Sequence, residues 1–186
     1  MIESLAVTLL PVLFLIVLFG GGALFQSQNI DMDGEPPIDR RLFLSSKYAI
    51  VLLWLGMVLR SWGIDLSFFS VPETLARVSL GLWACGFALL FSGRFRLGAS
   101  FRIGSPKEST SLKANGLYRF SRNPMYIGVY ATLTASVLYT LNPLLFAVGI
   151  FVAAVHHRIV LAEERHLRKV FGEAYTDYCS RVRRYL

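Results

Sequence analysis

Charged residues are scarce in this chain: 17% of its 186 residues, against 54% that are hydrophobic. Soluble domains carry about a quarter charged residues, so the shortage argues against a water-soluble protein. Cysteine is nearly absent as well, with Cys85 in an apolar run and Cys179 near the C-terminus. Two thiols without a CxxC spacing exclude a disulfide framework and a dithiol redox motif. There are only three histidines. Glu163-x-x-His166 has the form of half a carboxylate di-iron motif, but such a site needs a second pair and more carboxylates, so no metal is expected. GxGxxG, the Walker loop, GxSxG and HExxH are all missing. No internal repeat of the kind that builds many transporters is visible, and no low-complexity segment.

What the chain has instead is long apolar runs. The first, Leu5 to Phe25, contains no charge and is long enough to span a bilayer. It is too long for the apolar core of a signal peptide, and Glu3 stands where positive charge is expected, so a retained helix is predicted. Polar residues from Gln26 to Arg41, with Pro36-Pro37, predict a loop. Further runs cover Leu42 to Trp62 and Leu75 to Gly93. A fourth, Met125 to Thr140, is short for a spanning helix. Leu141-Asn142-Pro143 predicts a tight turn. A fifth run, Leu144 to Val155, continues without a breaker to about Val170, beyond the membrane, until Phe171-Gly172 ends it. The tail, Glu173 to Leu186, places Tyr175, Tyr178, Val182 and Tyr185 at helical spacing. The predicted fold class is all-α: a membrane helical bundle of about five spans with a cytoplasmic C-terminal helical extension. Residues 1–93 form spans one to three; residues 94–186 form the half that carries chemistry.

The net charge of +7 is unevenly spread. Arg94 to Arg122 holds seven basic residues and one acid, and Arg158 to Leu186 holds seven basic residues and four acids. Both clusters flank apolar runs, the pattern of cytoplasmic segments facing anionic headgroups rather than of nucleic-acid binding. Five spans then leave the N-terminus outside and the C-terminus in the cytoplasm.

Two segments put polar residues where bilayer rules disfavour them. One is Asn115-Gly-Leu-Tyr-Arg-Phe-Ser-Arg-Asn-Pro-Met-Tyr-Ile-Gly128. Gly116 permits a tight turn, Pro124 fits a first helical turn and Asn123 fits its N-cap. Arg122 offers a bidentate clamp for a carboxylate. A basic loop with an ordinary helix cap has the same composition. The other segment runs from His156 to His166. On a helix His156 shares a face with Glu163, and His157 with Glu164. Ionisable groups at a membrane boundary are costly unless they face a cavity or partner. A charged helix face at the headgroups, supported by pairs such as Glu164 with Arg168, is the plainer reading.

Taken in order and spacing, these segments, together with Arg158-Ile-Val-Leu-Ala-Glu-Glu-Arg-His-Leu167 and Phe171-Gly-Glu-Ala-Tyr-Thr-Asp-Tyr178, resemble the isoprenylcysteine carboxyl methyltransferase family and the related membrane phospholipid methyltransferases. The resemblance covers about half of the chain, from Arg94 onward. It implies a membrane-embedded methyltransferase using S-adenosyl-L-methionine. Residues Thr110, Ser111, Leu112, Lys113, Tyr118, Arg122, Asn123, Pro124, Met125 and Tyr126 would hold the cofactor, and Glu163 would face it from the fifth helix. Arg158, Glu163 and Glu164 are the implied catalytic residues, with Arg158 near a substrate carboxylate. The family has His where this chain has Asn123, and asparagine cannot carry a proton. A carboxylate acceptor needs no proton removed at neutral pH, which favours O-methylation of an isoprenylcysteine-like or other lipidic acceptor entering from the bilayer. N-methylation of a phospholipid amine is the alternative, and a non-catalytic membrane protein of the same fold is a third reading.

Overall fold

The computed structural model describes residues 1–26, 38–97, 112 and 114–186. These form five α-helices and one 3₁₀ turn: α1 (Ile2–Gln26), α2 (Arg40–Ser61), α3 (Glu73–Leu97), the 3₁₀ turn (Gly116–Arg119), α4 (Pro124–Thr140) and α5 (Pro143–Arg181). No strand occurs among the described residues, and the all-helical fold is as predicted. Four helices, α1, α2, α3 and α5, are long and apolar enough to cross a membrane. Helix α4 has 17 residues, about 25 Å at 1.5 Å per residue, slightly under the hydrocarbon thickness of a bilayer.

Apolar side chains lie on both sides of the helices. Ile16, Phe19, Leu52, Phe146 and Ile150 point outward and are more than 45% exposed, as expected of surfaces that lipid would cover. Inside, Phe14, Trp54, Trp83, Phe87 and Phe91 form an aromatic cluster joining α1, α2 and α3. Trp54 Nε1 donates to Thr132 Oγ1 at 3.0 Å, which links α2 to α4. Between α3 and α4 the backbones meet at two glycines: a β-carbon on Gly128 would lie 2.8 Å from the Gly86 carbonyl oxygen. Small residues at such a crossing let membrane helices approach closely.

One end of the bundle is tied by polar contacts. Ser4 Oγ donates to the Ser61 carbonyl at 2.6 Å and Trp62 Nε1 to Thr8 Oγ1 at 2.9 Å. Tyr139 donates to Glu3, and Asn142 Nδ2 donates to the Leu66 carbonyl at 2.7 Å. The α4–α5 turn is built as predicted: Leu141 takes a left-handed conformation and the Asn142 side chain caps α5. The opposite end gathers the starts of α2 and α4, the end of α3 and the distal part of α5.

At that opposite end the elements differ in detail from the sequence pattern. Helix α3 continues past Gly93 to Leu97 and carries Arg94 and Arg96 in its last turn, where cations suit the negative end of the helix dipole. Arg94 is only 4% exposed. Helix α5 breaks at the expected place. Gly172 has φ 55° and ψ −125°, a backbone state that glycine alone adopts readily. The predicted helical spacing of the tail holds for Tyr175 and Tyr178, both buried. It stops at Val182, which is extended, so Tyr185 is delivered by a returning strand of chain rather than by a helix face.

Candidate active site

The start of α4 and the distal part of α5 meet at the basic end of the bundle. Pro124 occupies the first turn of α4 and Asn123 its N-cap position, but the Asn123 side chain makes no capping bond. It turns away instead, and Nδ2 donates to Glu164 Oε1 and to the Arg184 carbonyl, each at 3.2 Å. An amide with two donors is more useful there than a cap, because it joins α4, α5 and the tail at one point.

Glu164 is the centre of this junction. Its side chain is 5% exposed and that of Arg122 9%. Arg122 donates through Nε to Oε1 at 3.1 Å and through Nη2 to Oε2 at 3.4 Å. Arg184 approaches Oε2 from the tail, with Nε at 3.0 Å and Nη2 at 2.9 Å. The remaining Arg122 nitrogen, Nη1, donates to the carbonyls of Val182 at 2.5 Å and Cys179 at 3.3 Å. The backbone completes the seam: Arg122 N–H donates to the Arg183 carbonyl at 2.9 Å, and Ser121 Oγ to the Arg184 carbonyl at 3.1 Å. Burial acts against the Arg122 charge, but the Glu164 hydrogen bonds and charge outweigh it and hold its pKa above the ordinary value. The carboxylate clamp expected of Arg122 is therefore present and closed on the chain's own Glu164.

Glu163 faces elsewhere. Tyr126, on the first turns of α4, donates its hydroxyl to Glu163 Oε1 at 3.0 Å. The Tyr126 ring meets His156 edge-on at 5.9 Å between centroids. The shared face of His156 and Glu163 is thus realised through Tyr126. His156 Nδ1 lies 3.0 Å from the Val152 carbonyl. His157 is exposed and its Nδ1 lies 2.8 Å from the Tyr185 hydroxyl, which is 3.4 Å from that of Tyr130. Two neighbouring polar groupings result: Glu163 with Tyr126 and His156, and His157 with Tyr185 and Tyr130.

The other predicted site residues are placed as follows. Tyr118 is partly buried in the 3₁₀ turn, its carbonyl accepting from the Tyr178 hydroxyl at 2.5 Å. Burial pushes the Tyr118 hydroxyl well above its ordinary pKa, with Tyr178 and Glu163 adding to the effect, so it stays protonated at neutral pH. Met125 packs into the aromatic core and Pro124 is buried. Arg158 is exposed, and five residues of helix turn it about 140° from Glu163. Leu112 is partly buried; Thr110, Ser111 and Lys113 lie outside the described residues. Sequence reasoning missed Arg184 and Ser121, because a tail that folds back over the start of α4 has no periodic signature. It also passed over Lys47, a cation inside an apolar run, which bilayer energetics mark as a functional candidate.

Chemically, a partly buried carboxylate, two tyrosines and an apolar surround suit a ligand that carries a positive charge on an otherwise apolar or aromatic body. A phospholipid methyltransferase family model matches residues 75–174, from the start of α3 to the break in α5. A methanethiol S-methyltransferase of Bradyrhizobium diazoefficiens is 30% identical over 155 residues, covering 78% of this chain and 53% of the relative. The chain thus spans about half the length of that relative.

Proposed function

Because this chain belongs to the phospholipid methyltransferase family, we propose that it is a membrane-embedded methyltransferase that takes S-adenosyl-L-methionine from the cytoplasm and transfers its methyl group to an acceptor drawn from the bilayer. The pairing of Glu163 with Tyr126, where α4 begins and α5 leaves the apolar bundle, carries this reading. Glu163 supplies negative charge toward the cofactor's cationic groups, Tyr126 orients that carboxylate, and Tyr118 adds an aromatic face beside them. When bound, the cofactor supplies an electrophilic methyl on a sulfonium. The chain's own part is to bind, align and exclude water, which is where most of the acceleration of an in-line displacement arises. The basic end of the bundle faces the cytoplasm by the positive-inside rule, with the N-terminus outside.

A lipidic carboxylate is the acceptor that these groups suit best. Glu164 is committed to two arginines, Glu163 to Tyr126, and His157 to Tyr185. An acceptor that is already anionic asks none of them to remove a proton. The family description and the relative's name favour a second reading, in which the acceptor is a lipid amine or a thiol; a thiol is a few per cent ionised at neutral pH without help.

The test uses purified protein in detergent with methyl-labelled S-adenosyl-L-methionine. A farnesylcysteine analogue, phosphatidylethanolamine vesicles and a small alkanethiol are offered in parallel. Base-released volatile methanol identifies a methyl ester; base-stable label in lipid identifies N-methylation; a volatile thioether identifies S-methylation. No transfer and no cofactor binding would support the non-catalytic reading. Glu163→Gln is expected to weaken cofactor affinity about 10- to 100-fold, the range of a lost hydrogen bond or pair to a charged group. Tyr126→Phe is expected to weaken it about three- to tenfold, as for a neutral donor. Both variants should unfold at the parent temperature. Parent-like cofactor affinity in both, measured by calorimetry, would remove the assignment.

A further inference from the structure

The N-terminal spans contribute more than a scaffold. Helix α2 begins at Arg40 and carries Lys47 two turns further in, within a helix apolar enough to span a bilayer. Lys47 is partly buried. Its Nζ sits 4.2 Å from the centroid of the Phe43 ring. Phe43 is itself buried against Val155 and Ile159 of α5, and Tyr126 of α4 packs on the same cluster. This packing brings the first turns of α2 against the two elements that hold Glu163 and Tyr126. Phe43 and Tyr126 thus link Lys47 to the side of α5 that carries His156 and Glu163: Tyr126 donates to Glu163 and meets His156 edge-on.

A charge held inside an apolar helix is costly and persists where it meets a partner or a ligand. Glu163, bonded to Tyr126 of the same packed cluster, carries the opposite charge. Its neighbours are the Tyr126 hydroxyl from α4, the Tyr118 hydroxyl from the 3₁₀ turn, and Glu164 beside it on α5. Glu164 repels it, and its own two arginines are turned toward Glu164 itself. In surroundings of low polarity, Coulomb interactions over several ångströms are stronger than in water.

We propose that Lys47 is a positioning residue of the methyltransferase site: its ammonium is the counter-charge that keeps the Glu163 carboxylate ionised and available to a cationic ligand. The proposal rests on the reading of Glu163 as a cofactor contact. It assigns α2, which lies outside the family match, an electrostatic part in the site. A purely structural lysine would matter only for folding. A counter-charge would instead set the pH range over which the site binds.

The experiment measures S-adenosyl-L-methionine affinity from pH 6 to pH 9 for the full chain in detergent and for Lys47→Met, Lys47→Arg and Glu163→Gln. The expected result is at least fivefold weaker binding by Lys47→Met at pH 7, recovering toward the parent as pH rises and Glu163 ionises unaided. Lys47→Arg should restore both affinity and pH profile. Glu163→Gln should bind weakly at every pH. Parent-like binding by Lys47→Met across the range, with Glu163→Gln impaired, overturns the role of Lys47 and leaves the site reading standing. Parent-like binding by Glu163→Gln overturns the site reading itself. If Lys47→Met elutes as an aggregate, Lys47→Gln serves in its place; weak binding by Lys47→Gln that stays flat with pH also overturns the proposal.

Discussion

Glu164→Ala is expected to destabilise the protein by about 3–5 kcal/mol, the usual cost of removing one partner from a buried ion pair. The loss exceeds that of a surface pair because of what is left behind. Arg122 has a side chain only 9% exposed, and without Glu164 its charge would keep, among the described residues, the backbone carbonyls of Cys179 and Val182 as hydrogen-bond partners. Asn123 loses one of its two acceptors, and Arg184, which is 35% exposed, is released into solvent at little cost. Thermal unfolding in detergent should show a midpoint lowered by on the order of 10 °C. The arrangement also predicts an asymmetry. Arg184→Ala should cost about 1 kcal/mol or less, because that partner is the solvated one, whereas Arg122→Ala should approach the Glu164 loss. Equal effects of Arg122→Ala and Arg184→Ala would show that Glu164 is not held chiefly by Arg122.

Gly128→Val is expected to have an effect of similar size by a different route. A β-carbon at Gly128 would stand 2.8 Å from the Gly86 carbonyl oxygen and 3.1 Å from both Leu89 Cβ and Leu90 Cγ. The first of these is backbone of α3 and cannot swing aside, so the helices must part. Overpacking a tight core costs about 1–3 kcal/mol and sometimes more, and a branched side chain at a backbone crossing belongs at the upper end. Parting α3 from α4 also moves Asn123 and Tyr126, so cofactor binding should fall even in the fraction that stays folded. Gly81→Ala is the control. Nothing lies within 4 Å of a β-carbon there, and alanine is the better helix former by about 1 kcal/mol. It should leave stability unchanged or raise it. A Gly128→Val protein that unfolds with the parent would mean that α3 and α4 do not meet through Gly86 and Gly128.

Both predictions concern contacts that a linear reading of the chain leaves open. The apolar runs announce the helices because twenty consecutive apolar residues have few other stable arrangements in a bilayer. The turn at Leu141-Asn142-Pro143 and the break at Gly172 are legible because proline and glycine act on their own backbone, whatever surrounds them. The polar segments around Asn123 and Glu163 stand out because polarity is expensive next to such runs. What each polar side chain does is another matter. Arg122 has the chemistry of a carboxylate clamp, yet which carboxylate it holds depended on Arg122 and Glu164 being brought together across 42 residues of sequence.

Composition and local pattern therefore determined the class of molecule, the positions of its helices and the two segments where polar groups gather beside apolar runs, since each follows from interactions within a few residues. Tertiary structure alone decided the division between the two adjacent glutamates. Successive residues on a helix point about 100° apart, so Glu164 turns into the arginines of the loop and tail while Glu163 turns toward Tyr126. Which of two neighbouring carboxylates ties the loop and tail to α5 and which pairs with a tyrosine of α4 depends on what packs against each side of α5, and those partners arrive from distant parts of the chain.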